Sequence, residues 1–210
     1  MPGQVALRRA GVLLHPTSLP SEGYTGDFGP EARRFIDTMA QAGLSVWQVL
    51  PIGPTHEDGC PYQSSSVHAG NPDLINLDWL VEHELLTHAQ ASAGRHSPVA
   101  KRDALDIASS EFFQRLFNAD ASPLVSAYAA FTEEAEFWLE GYVRFQAFRD
   151  AEQCRPWTSW PQPLRNYEAD ACNERARELA PELSKLRFRQ FIFHQQWLGL
   201  KAYANERGIK

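Results

Sequence analysis

The sequence predicts an α/β fold that opens with a parallel βαβ unit and continues as a long, mostly helical stretch. Three observations lead there. Val12–Leu14 and Val46–Leu50 are short apolar runs ended by the nearby prolines Pro16 and Pro51, the mark of buried strands. Phe35, Ile36, Met39, Ala40 and Leu44 recur between them at helical spacing. Beyond residue 76 several further runs keep a helical period, broken by prolines.

Taken in order, residues 1–10 form a polar arm. After the first strand, residues 17–29 are a Gly/Pro/Ser-rich loop with Tyr24, Asp27 and Phe28. Pro30 and Glu31 open a helix, proline suiting the first turn and glutamate the positive end of the dipole, and Gly43 closes it. A strand, a helix and a second strand make one right-handed parallel unit. Asn76 or Asp78 can cap a helix through Trp79, Leu80 and Leu85. Residues 87–98 are polar and the least constrained. From about Ala100 a helix uses Ile107, Phe112, Phe113, Leu116 and Phe117, and Pro123 breaks it. Leu124 to Phe131 and Glu134 to Phe148 follow as two more, with Phe137, Trp138, Val143, Phe145 and Phe148 expected in the core. Trp157, Trp160 and Pro161 punctuate a loop, and Asp170 to Ala180 is polar and helical. A last helix runs from Pro181 to about Arg207, with Phe193, Trp197, Leu200 and Ala204 on one face and Phe188, Phe191 and Leu198 on another. A helix apolar on two sides is buried on two sides.

The 210 residues suffice for one ordinary core, and 43% of them are hydrophobic. A net charge of −6 argues against a nucleic-acid partner and suits a neutral substrate. No apolar run approaches the roughly 20 residues of a membrane helix, and the first nine residues lack the apolar core of a signal peptide. Cys60, Cys154 and Cys172 are far apart and odd in number, so a reducing, cytoplasmic compartment is expected. His56, Cys60 and His68 match no common zinc spacing, and no GxGxxG or phosphate-binding loop is present; no metal and no cofactor are expected.

The stretch with most chemical content is the loop after the second strand, from Pro51 to Asn76. A strand opening into a long polar loop is where α/β barrels build their sites. The blocks GVLLHPTSLP, VWQVLPIGPT, PYQSSS and AGNPDLINLDWL resemble, in order and spacing, the amino-terminal part of the 4-alpha-glucanotransferases of glycoside hydrolase family 77, the amylomaltases. FRQFIFHQQWLGLKAYANERGIK resembles them again near the end of the chain. The resemblance implies a partial (β/α)8 TIM barrel, its first two strands plus a mostly helical insertion. On that reading residues 1–76 are the βαβ part with a substrate-binding loop, 77–181 the insertion, and 182–210 a long helix leading to a next strand.

It also implies transfer of a 1,4-α-glucan segment from a maltooligosaccharide donor to glucose or a glucan acceptor, with retention through a covalent glycosyl-enzyme. Such chemistry needs two carboxyl groups flanking the bond. The resemblance places the catalytic carboxylates on strands beyond Lys210, so no catalytic residue is assigned here and this chain alone is expected to be inactive. Glu57 and Asp58, adjacent in a glycine-flanked loop, do not make a cooperating pair. The family's sugar-contacting tyrosine falls at Tyr62, and Pro61, Cys60, Gln63 and Ser64 are expected beside it on the sugar-binding wall. The family's usual serine is Cys60 here, a poorer hydrogen-bond partner. His15, at the end of the first strand, can hydrogen-bond substrate or hold its loop; a lone histidine favours the second. The alternative reading is a non-catalytic maltodextrin-binding or scaffold module.

Overall fold

A computed structural model describes residues 8–56, 58–118 and 122–210. β1 (Gly11–Leu13) and β2 (Val46–Gln48) are parallel neighbours, with Gly11 opposite Val46 and Leu13 opposite Gln48. They are joined through α1 (Pro30–Gln41), which starts on Pro30 with Glu31 in its first turn. Ala32, Ile36 and Met39, spaced by four and three, form its buried stripe. Gly43 takes φ +72°, and this lets Leu44 N–H turn back to Met39 O at 3.0 Å and end the helix.

Both strands are shorter and less buried than their sequences suggest. The pleat explains it: Val12 and Trp47 share the face that α1 covers, with Phe35 edge-on to Trp47 at 5.0 Å, whereas Leu13 points the other way and stays 56% exposed. The ladder itself runs one step further, since Leu14 N–H donates to Gln48 O at 3.0 Å.

The remaining helices are α2 (Leu77–Glu82), α3 (His88–Gly94), α4 (Pro98–Phe117), α5 (Pro123–Glu134), α6 (Glu136–Ala151), α7 (Gln162–Arg165), α8 (Ala169–Glu178) and α9 (Ala180–Glu206). α2 stops before Leu85 because Glu84 adopts φ +58° and Leu85 N–H returns to Leu80 O at 2.8 Å. Residues 87–98, the least constrained by their sequence, hold α3 and the start of α4. Thr87 and Gln90 form a reciprocal capping box that starts α3, and Ser97 caps α4 ahead of Pro98. Four residues expected at apolar positions, Ile107, Phe117, Phe137 and Leu198, are exposed. Their helices bury other faces, so period alone misplaced them.

α9 is the spine. Its 27 residues extend roughly 40 Å, and Phe188, Phe191 and Ile192 are fully buried on it. One continuous core joins α1, the loop ending at Ile75, α2 to α6 and α9; a small second cluster gathers Phe148, Trp160 and Cys172. Where the loop crosses α9, Gly70 lies so close that a Cβ there would sit 2.0 Å from Phe193 Cδ1. Gly70→Ala is therefore expected to destabilise the chain by about 1–3 kcal/mol through overpacking. A urea midpoint unchanged from the wild type would contradict that contact.

Candidate functional site

The loop after β2 is built from its own small polar residues. Thr55 and Ser64 form an isolated antiparallel bridge. Asp58 Oδ1 accepts from Cys60 N–H at 3.1 Å, and Gln63 N–H donates to Cys60 O at 3.1 Å, closing a four-residue turn. Pro61 and Tyr62 are the two central residues of that turn, the first with the φ that a turn's leading corner requires. Tyr62 is thus thrown outward and is 72% exposed. Ser64 Oγ donates to Ser66 O at 2.7 Å, and Ser66 Oγ accepts from Ala69 N–H at 3.1 Å, so these hydroxyls shape the loop. Glu57 lies outside the described residues.

Tyr62 stands at the edge of a groove of about 580 Å³ between the loop and the helices. Pro61, Tyr62, Ser64 and His68 line the loop side, and Phe131, Trp138, Phe193, His194 and Trp197 the helical side. His68 lies edge-on to Phe137 at 5.1 Å and near Trp138 at 6.1 Å. Among the described residues, the groove's lining includes no aspartate or glutamate. His194 Nδ1 is buried without a partner, and burial pulls this histidine below its ordinary pKa.

Of the six residues expected on the wall, Pro61, Tyr62 and Ser64 line the groove, and Cys60 and Gln63 flank them on the same turn. His15 stands at the loop's root. Its Nε2 meets Pro51 O at 3.3 Å, and a carbonyl only accepts, so Nε2 carries the proton. Nδ1 then accepts from Thr17 Oγ1 at 2.7 Å. The ring ties the end of β1 to the segment after β2, and burial lowers its pKa. His56 is apart from His68, beside Arg149 at 3.4 Å. No group of three His, Cys, Asp or Glu among the described residues is placed to hold a metal ion.

Several residues that hold this loop are not singled out by the sequence. Gln190 and Gln196 are buried on α9 and grip the loop by its backbone. Gly70 N–H donates to Gln190 Oε1 at 2.7 Å while Gln190 Nε2 donates to Gly70 O at 3.0 Å. Gln196 repeats the pattern on Asn76, at 2.7 and 3.0 Å. The available signal is two amides inside the apolar run of α9, where only a paired amide is tolerated.

A second cluster ties this loop to the one after β1. Asn76 caps α2 through its Oδ1 and donates from Nδ2 to both oxygens of Asp27, at 3.2 and 3.1 Å. Tyr24 OH donates to Asp73 Oδ1 at 2.6 Å. Lys101, 4% exposed on α4, donates to Asp73 O. Burial pushes the Lys101 ammonium down to about 8 against the opposing pull of Asp27 and Asp73. Burial also raises the Asp27 carboxyl, with Lys101 as the largest opposing influence, and raises the Tyr24 phenol above its usual range.

The Glyco_hydro_77 family model, 4-alpha-glucanotransferase, matches residues 14–210. The 4-alpha-glucanotransferase of Thermus thermophilus is 40% identical over 213 residues, 97% of this chain and 41% of that protein. The chloroplastic/amyloplastic 4-alpha-glucanotransferase of Solanum tuberosum is 33% identical over 96% of this chain and 37% of its own length. The amylomaltase from Streptococcus agalactiae in complex with acarbose superposes with a TM-score of 0.86 at 28% identity, over 97% of this chain and 42% of that one. The chain thus spans about two-fifths of the relatives it matches. No helix among the described residues is long and apolar enough to cross a membrane.

Proposed function

The chain belongs to the 4-alpha-glucanotransferase family, and from that premise we propose that it contributes one wall of a site that transfers 1,4-α-glucan segments to glucose or glucan acceptors. β1 and β2 are then the first two strands of a (β/α)8 barrel. Residues 77–181 are an insertion after its second strand, and 182–210 lead to a third. The observation that carries the reading is the placement of Tyr62. It stands on the corner of a hydrogen-bonded turn, exposed, beside a groove at the carboxyl end of a parallel strand, where barrel enzymes bind substrate. An aromatic face with a hydroxyl at its rim suits a glucose ring. Pro61 and Ser64 form the wall beside it, with Cys60 and Gln63 on the same turn, while His15 fixes the loop's root. A donor maltooligosaccharide and a sugar acceptor are the partners, and the cytoplasm is the compartment proposed.

Retaining transfer needs a nucleophilic carboxylate and a general acid about 5–5.5 Å apart. The groove's described lining supplies neither, so the chain binds the glucan without performing the transfer. The binding-module alternative has less support, because the relatives matched are named as transferases. Titration of the chain with maltoheptaose tests the reading. Tyr62→Ala is expected to weaken binding about tenfold, the loss of one well-packed aromatic contact. Equal affinity for wild type and Tyr62→Ala would overturn the assignment, and glucose released from maltotriose by the chain alone would overturn its inactivity.

A further inference from the structure

Among the described residues, His194 is the titratable side chain on the helical wall of the groove, and its ring has no hydrogen-bond partner there. Its neighbours on that wall are Phe131, Trp138, Phe193 and Trp197, while Gln190 commits both amide atoms to Gly70. The imidazole packs tilted against Phe131, with ring centroids 5.1 Å apart. Its Nδ1 is sealed from solvent and meets no polar atom. Nε2, on the other side of the ring, is therefore the nitrogen left to the groove. A proton on Nδ1 would bury an N–H without an acceptor, and such donors are rarer in folded proteins than unpaired acceptors. Protons on both nitrogens would place a cation against aromatic rings. Burial disfavours that charge, with Glu134 as the opposing influence. The ring is thus neutral, carries its proton on Nε2 and presents that N–H to the groove.

We propose that His194 determines specificity in this groove: its Nε2–H donates to a hydroxyl or ring oxygen of the bound 1,4-α-glucan, from the wall opposite Tyr62. The proposal rests on the glucan reading above. Small-molecule sites set a few polar groups among apolar walls, and those groups fix the ligand's orientation. A sugar matches both features, with C–H faces for the aromatic rings and oxygens for the N–H. The donor is carried by α9 and not by the loop, so its position is set by the core that buries Phe191 and Ile192 on the same helix. An apolar ligand of the same shape would leave Nε2–H unpaired, and a site built around such a donor rejects it.

Titration of the wild type, His194→Phe and His194→Gln with maltoheptaose tests this, together with nitrogen-15 NMR of the imidazole in the free and bound chain. His194→Phe should weaken binding about tenfold, the loss of one hydrogen bond in a desolvated groove. Its urea midpoint should stay level or rise, because phenylalanine removes the unpaired Nδ1 from its apolar surroundings. His194→Gln can offer an N–H from similar reach and should keep affinity within about threefold. In the free chain the proton should sit on Nε2, and maltoheptaose should shift Nε2 far more than Nδ1. Unchanged affinity in His194→Phe overturns the proposal. So does a free ring protonated on Nδ1, or a loss of affinity that comes with a lower urea midpoint, the mark of a purely structural role. Tyr62→Ala, run beside them, separates this proposal from the glucan reading. Affinity lost there but kept in His194→Phe strikes His194 alone, the reverse strikes Tyr62 alone, and a wild type that does not bind maltoheptaose overturns both.

Discussion

Lys101→Met is expected to lower the unfolding free energy by about 1–3 kcal/mol, the cost of leaving the carbonyl of Asp73 without its buried donor. Lys101 is 4% exposed and faces Asp27, itself held by Gly29 N–H at 2.8 Å and by Asn76. Removing the ammonium takes the donor from Asp73 O and the opposing charge from the Asp27 carboxyl, which keeps its Gly29 and Asn76 donors. Lys101→Met/Asp27→Asn should recover part of the loss, because the buried carboxyl charge is removed together with the charge that opposes it. Urea denaturation of the four members of that cycle checks it; additive effects would mean that the two groups do not interact.

The same pair sets a pH dependence. Burial holds Lys101 at about 8, below the ordinary 10.5, so the unfolded chain binds more protons between those values. Stability contributed by this group therefore rises with pH across that window, and below about pH 8 its burial penalty is constant. Tyr24 acts in the opposite sense, because a raised phenol costs stability once pH passes its ordinary value of 10.0. The clean interval is thus pH 8 to 10. There the stability gap between wild type and Lys101→Met should widen with pH, and a constant gap would remove Lys101 as its source.

The parallel pair, α1 and the long final helix were legible because each rests on local pattern. Strand runs were bounded by proline, Pro30 and Gly43 marked the ends of α1, and α9 kept apolar residues at helical spacing along most of its length. The turn that exposes Tyr62 follows from Pro61, whereas its sugar contact is what the motif implies and the maltoheptaose titration tests. What sequence did not reveal is carried by long-range partners. Gln190 and Gln196 meet groups 120 positions away; the apolar run around them marks two buried amides but not the backbone groups they pair with. Lys101 sits in a stretch of charged residues and reads as surface until Asp27 and Asp73 are folded against it. Period also failed at Phe137 and Leu198, where the helix packs on fewer sides than its apolar content suggests.

Gln190→Leu should be among the most damaging single changes, costing about 2–6 kcal/mol. The side chain satisfies both backbone groups of Gly70, and each buried group left unpaired costs about 1–3 kcal/mol. Leucine keeps the volume and the apolar surroundings but offers neither donor nor acceptor. Gln196→Leu should cost a similar amount at Asn76, with the added loss of register between that cap and Asp27. The two grips hold the return of the Tyr62 loop at either end of the Pro72–Leu74 turn, so loosening either one frees the loop from α9. Amide exchange at Gly70 and Asn76 reports this directly: Gln190→Leu should speed Gly70 far more than Asn76, and Gln196→Leu the reverse. If both amides respond equally to either substitution, the loop is held as one unit and the two grips are not separate. Maltoheptaose affinity should fall in Gln190→Leu although residue 190 carries no sugar-facing aromatic, because the groove's wall is positioned from beneath.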